Sequence, residues 1–277
     1  MWFDLPPEPY VTQAQLQTEC ASVYEQLIYP APKKIANTKK DADDNPAALD
    51  SEEEFANLRY NAIKEEALSI GAQAGLAWRY QGIERVYKLP EVESALSRAF
   101  DFNRVVWEDN ILLPVISEAA ESFEVSDDAQ TGRSSQTALH IIQPAQIITT
   151  TPTWREYLYQ SFQMPTSAPS GLMPYDKQEQ TLWRTELCAG FQLGVQQADM
   201  IFTDRLNHLF RDYSGMLRFR TLAAQKIVSM PEITEGRLGV TQSGDDKVYI
   251  DDRIIRIDRP VKFLNVDEWR AIPGQKL

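Results

Sequence analysis

Residues 176–228 constrain this chain more than any other stretch, because they read as one unbroken helix. Leu187, Ala198 and Leu209 recur eleven residues apart; so do Phe191, Phe202 and Tyr213, and so do Val195, Leu206 and Leu217. Eleven residues in three turns is about 3.67 per turn, close to the 3.6 of a relaxed helix. The apolar stripe therefore runs nearly straight along one face and needs no supercoil to stay buried. Fifty residues of helix span roughly 75 Å, more than a small domain covers. Such a helix either links two packing regions or leaves part of its stripe for another chain.

The ends of this helix carry signals. Asp176 and Glu179 have capping-box spacing, and Pro231 cannot continue a helix. Gly190, Gly194 and Gly215 lie inside, each costing about 1 kcal/mol relative to alanine. Close approach of a neighbouring backbone, or a bend near Gly215, would account for them. A second helix is expected over residues 51–79, with Ser51 and Glu54 as its box. Its face runs through Phe55, Leu58, Ile63, Ala67, Ile70 and Ala74, and Gly71, Ala72, Gly75 and Ala77 leave room for a close neighbour. Shorter helices are expected at 14–27 and 92–100.

Between and after the helices the period changes. Residues 122–125, 137–143 and 145–150 are rich in β-branched side chains and read as strands. Residues 115–121 read as a continuation of helix beyond Pro114. Residues 238–242, 247–250, 253–257 and 261–264 read as a meander of three or four short strands. Turn chemistry at 243–246 and at Asp251-Asp252 separates them. The expected fold is α+β: a small antiparallel β-sheet, drawn from 120–160 and 236–265, packed by long helices. Residues 1–50 read as an extended, loosely ordered segment, 51–265 as the α+β domain and 266–277 as a tail.

The net charge of -12 argues against nucleic acid as a direct partner, since phosphate binding needs clustered lysine and arginine. No apolar run approaches the 18 or so residues that span a bilayer, and residues 1–10 do not resemble a secretory leader. Two cysteines, Cys20 and Cys188, are too few for a disulfide scaffold. Cys188 reads as a buried small hydrophobe, with a Cys20–Cys188 bridge as the alternative in an oxidising compartment.

Signals for catalysis are thin. His140 falls in a strand and His208 in the long helix, and neither belongs to a metal-ligand pair. There is no nucleophile elbow, phosphate loop or dinucleotide fingerprint. Asp41, Asp43, Asn45 and Glu52 have the spacing of a calcium loop, but Pro46 stands where that loop needs glycine. No cofactor, metal or catalytic residue is assigned. Exposed-looking aromatics beside arginine are the remaining candidates, because tryptophan, tyrosine and arginine dominate interface hot spots. They are Trp78 with Arg79, and Trp154 with Arg155 and Tyr157, all as partner contacts.

Several segments together resemble the DotC family of type IVB secretion systems, which includes the TraI lipoprotein of I-type conjugative plasmids. They are AIKEEA at 62–67, GAQAGLAWR at 71–79, FDFN at 100–103, LPV at 113–115 and TTPTWREYL at 150–158. GVQQAD at 194–199, RDY at 211–213, Gly215-Met216, LGVT at 238–241 and IDDR at 250–253 follow in the same order. The resemblance implies a structural subunit, not an enzyme, in a ring-shaped outer-membrane core complex. It implies hetero-oligomeric assembly with DotD-like and DotH-like partners, on the periplasmic face of the outer membrane, and help in placing the DotH-like subunit there. It also implies a lipidated cysteine after a leader and a small-residue box. Gln17, Thr18 and Glu19 before Cys20 do not form that box, so a lipid anchor requires a leader outside this numbering. The rival expectations are a periplasmic hydrolase with two converging carboxylates, one with a raised pKa, and a soluble binding module with a closed pocket. A stripe on the long helix that is buried within one chain favours either rival; a half-bare stripe favours assembly.

Overall fold

The computed structural model describes residues 11–28 and 46–270 except Asp109 and Asp127, with no side chains given at 46–56 or Glu124. Its elements in chain order are α1 (Gln13–Ile28), α2 (Pro46–Tyr87), α3 (Pro90–Ala99), β1 (Val106–Trp107), β2 (Ile111–Leu112), β3 (Val115–Val125) and β4 (Gly132–Gln143). These are followed by β5 (Gln146–Ile147), α4 (Trp154–Leu158), α5 (Lys177–Ala224), β6 (Glu232–Ser243) and β7 (Lys247–Arg259). The class is α+β, as expected. The chain divides into two compact units. One comprises residues up to Leu96 and Leu158–Leu206, the other Ser97–Tyr157 and residues from Asn207 on. The long helix supplies both, which is the first of the two outcomes its length allowed.

α5 starts as its sequence directs. The Glu179 amide donates to Asp176 Oδ1 at 2.8 Å, and Glu179 Oε2 accepts from the Tyr175 amide at 2.8 Å. It stops earlier than Pro231. Lys226 takes a left-handed conformation, φ 57°, the Ile227 amide reaches back to Leu222 O and the Lys226 amide to Ala223 O. This is the Schellman arrangement, which satisfies the last carbonyls of a helix without needing a proline. α2 begins at Pro46, not at Ser51. Proline is well suited to the first helical position, having no N–H to leave unpaired. α1 has a box of its own, Thr12 with Gln15, whose amide and side-chain bonds are 2.9 and 3.3 Å.

In the first unit α2 and α5 cross in close contact. Successive contacts advance along both chains, Gly71 against Leu187 and Gly75 against Phe191, so the two helices run parallel there. Gly190 and Gly194 return the contact onto Leu68 and Ala72. At all four positions a Cβ would overlap a carbonyl oxygen of the other helix. Helical glycines are unfavourable by propensity, so backbone approach is the reason these four are here. Ile63, Ala67, Ile70, Trp183, Leu187 and Phe191 fill the core beside the crossing. α1 packs Cys20, Val23, Leu27 and Ile28 into the same core and is bonded to α5 by a Cys20–Cys188 disulfide, Cα–Cα 5.4 Å. The reading of Cys188 as an unpaired hydrophobe is therefore corrected. Its partner lies 168 residues away in sequence, and only tertiary packing brings the two together.

The second unit gathers Phe100, Phe102, Leu209, Tyr213, Met216 and Phe219 into its core, with edge-on ring contacts of Phe100 and Phe102 to Tyr213 at 5.4 and 5.3 Å. Its strands form three separate antiparallel sheets: β1-β2-β5, β3-β4 and β6-β7. The last two are hairpins of long strands. Residues 115–121, expected as helix, are strand, and β3 pairs with β4 from Val115↔Gln143 to Val125↔Gly132. Residues 145–150 contribute only the two-residue β5. The expected meander is one hairpin. Asp251-Asp252 is not a turn: Asp251 has φ 58° within β7, beside a register shift at Gly239. The region 261–264 makes an isolated bridge, Val228↔Phe263. The turn at 243–246 is present, with Gly244 at φ 70°.

Candidate assembly surface

The expected partner-contact residues fall in both units, and several already have internal partners. In the first unit Trp78 is half-buried, with its ring centroid 5.5 Å from that of Phe191. Arg79 is buried, and its Nε lies 2.5 Å from Asp199 Oδ1. In the second unit Trp154 is 1% exposed and donates through Nε1 to Ser97 Oγ at 3.1 Å. Arg155 lies over its ring, 4.5 Å from the centroid. Tyr157 stacks on Phe102 and donates to Asp212 Oδ2 at 3.3 Å. Burial first, then the neighbouring Asp212 carboxylate, raises the Tyr157 hydroxyl above its ordinary pKa and keeps it protonated. Capping explains why this segment is ordered: the Thr153 amide donates to Glu156 Oε1 at 3.0 Å. Trp154 and Arg79 are thus buried within the single chain, each bordering a surface opening.

The stripe on α5 is not a free surface either. Leu187, Phe191, Val195, Ala198, Phe202, Leu209 and Tyr213 are buried, and Leu206 and Leu217 are half-buried. The bare half-stripe that would have marked assembly is absent.

Exposed apolar surface lies instead on the two long hairpins, which the sequence reading passed over. Phe123 and Val125 on β3 are 67% and 56% exposed. On the other hairpin Val240, Val248 and Ile250 are 69%, 61% and 81% exposed, with Leu238, Tyr249 and Ile254 also open. Among the described residues the bonds that hold these hairpins lie at their bases. Arg218 on α5 donates to Ile116 O at 2.7 Å and pairs with Glu118 at 3.0 Å, and Gly215 lets Val115 and Ile116 lie against α5. At the other hairpin Ser229 donates to Lys262 O, Leu264 to Ile227 O, and Arg270 to Gln225 O at 2.7 Å. A two-stranded ribbon is marginal in water by itself, so these strands have apolar surface and backbone edges to satisfy beyond their bases.

The second unit also has a cleft of about 550 Å³, bordered by Arg104, Trp107, Leu113, Phe219, Arg220 and Met230. Arg220 donates to Arg104 O at 2.6 Å and helps shape its rim. Its lining carries no carboxylate among the described residues. Among the described residues the carboxylates with displaced ionisation, Asp128 and Glu179, are held below their ordinary range, the reverse of what an acidic hydrolase requires. Of the calcium-loop residues, Asp41, Asp43 and Asn45 lie outside the described residues, and Glu52 falls within α2.

An α+β body with two long, solvent-exposed hairpins is the class that the fold defines. Residues 57–271 match the family model described as type IV secretory system, conjugal DNA-protein transfer. That match spans well over half of the 277 residues, so the chain belongs to this family of type IV secretion components. Comparison with curated proteins finds no match. The family is envelope-associated, and among the described residues no helix is long and apolar enough to cross a membrane.

Proposed function

We propose that this chain is a non-catalytic structural subunit of the outer-membrane core complex of a type IV secretion or conjugation machine. It assembles there into a hetero-oligomeric ring with DotD-like and DotH-like subunits, on the periplasmic face of the outer membrane. A lipid anchor belongs to this reading only if a leader precedes the present numbering. Family membership over residues 57–271 is the observation that carries it. Two structural features support it. A disulfide joining α1 to α5 suits an oxidising compartment such as the periplasm. The hairpins supply apolar edges that the single chain leaves uncovered.

The buried stripe on α5 favours a binding module, whose site would be the cleft by Trp107, of a size that suits a small ligand. Fractionation separates the two readings. In cells making the whole secretion gene set, removing this chain should deplete the DotH-like subunit from the outer-membrane fraction, and restoring it should return that subunit. Unchanged fractionation contradicts the structural reading and directs attention to the cleft.

A further inference from the structure

β3 and β7 each belong to a two-stranded sheet, so one backbone edge of each has no strand partner among the described residues. Exposed edges are templates for further pairing unless they are blocked by charge, proline or a covering element. Their charges are opposite and share a spacing. β3 carries Glu118, Glu121 and Glu124 as its charged residues, whereas β7 carries Arg253, Arg256 and Arg259 in its second half. Both triplets recur every third residue. In an antiparallel register positions 118, 121 and 124 stand opposite 259, 256 and 253, which sets Glu118 against Arg259 and Glu121 against Arg256. The same register sets Phe123 opposite Ile254 and Ala120 opposite Ile257. A parallel pairing with the charges matched would place Phe123 opposite Asp258.

Intrachain ion pairs on these strands do not block such contact. Glu118 pairs with Arg218, Arg256 with Asp258 at 3.4 Å and Arg259 with Glu232 at 3.1 Å. The β7 arginines keep side-chain exposures of 79% and 75%, and exposed pairs of this kind are weak and exchangeable.

We infer that the β3 edge of one copy of this chain pairs antiparallel with the β7 edge of the next copy. The contact joins two different surfaces, so repeated copies propagate head to tail and close into a ring where the rotation permits. Strand addition also covers the exposed Phe123 and Ile254 and uses the free backbone donors and acceptors. This rests on the proposed assembly and names one contact within it.

The test uses two tagged full-length versions, S122C and I255C, co-expressed with the neighbouring secretion genes. These positions are opposite in the proposed register. The expected product is a disulfide-linked pair at twice 31.6 kDa that requires both versions. Adding E121R to the first version should lower its yield about tenfold, and adding R256E to the second should restore it, as expected for a cross-strand charge pair. A variant that merely misfolds would not be rescued by a change in the other copy. A large particle without this crosslink, a crosslink formed by one version alone, or a yield indifferent to charge each overturns the strand pairing while leaving the assembly reading intact. Recovery of only the 31.6 kDa chain overturns both.

Discussion

Arg59, which the sequence reading did not single out, gathers several interactions at one point. Its guanidinium bonds Glu179 Oε1 and Oε2 at 2.8 and 3.1 Å and the carbonyls of Gly171 and Met173, and it lies over the Tyr175 ring. It ties α2 to the start of α5 within the first unit. Burial alone would raise the Glu179 carboxyl. Hydrogen bonds from Arg59 and the Tyr175 amide outweigh burial and hold it below its ordinary 4.5. A carboxyl depressed in the folded state contributes stability above its unfolded pKa and loses it as pH falls through the folded one. Denaturant melts should therefore show stability falling as pH drops below about 4.5, with E179Q flatter over that window. R59A should cost about 1–3 kcal/mol at neutral pH, as expected for a charged, multiply bonded group. An E179Q curve parallel to the parent through the acid range would contradict this account. Residue-level reading from sequence took Trp154 and Arg79 for exposed groups, and both are buried. Tryptophan and arginine are enriched in cores and interfaces alike, and nothing local to Trp154 or Arg79 distinguishes the two settings.

Among the elements, the α2–α5 crossing has a sharp test. Gly→Ala in a helix ordinarily gains about 1 kcal/mol. At Gly190 the new methyl would meet the Leu68 carbonyl, so G190A should instead destabilise by about 1–3 kcal/mol, the usual range for overpacking. G82A serves as the control, since nothing lies near its Cβ position in α2. Equal urea midpoints for the two variants would remove the close-approach argument. The disulfide gives a second test at this scale. Closing a separation of 168 residues is worth up to about 5 kcal/mol on a chain-entropy account. C188S should lower the unfolding free energy by a substantial part of that and speed hydrogen exchange in α1 above all. Exchange in α1 that is no faster than in the parent would contradict the staple.

At the scale of the whole molecule, the helices were legible and the hairpins largely were not. The period of α5 persisted through its length because most of one face is buried, so the sequence carries a strong repeat. Its end was misjudged because Lys226 terminates it through a left-handed turn, which a lysine does not announce. β3 lacks a buried face beyond its first residues, so there is no alternation to find in a run such as Glu118 to Glu124. β7 was split into two short strands because Asp251-Asp252 looks like a turn although the backbone merely bulges there, and β6 was read only from Leu238 on. The surface now proposed for assembly therefore lies where hydrophobic patterning is weakest.

The central claim is that this family member works as one part of a larger envelope particle. Its most direct test is the mass of the protein recovered gently from envelopes of cells making the entire secretion gene set. The account predicts a megadalton particle that contains this chain together with at least two other envelope proteins. A lone species near 31.6 kDa, unchanged by co-expression of its neighbours, would contradict it.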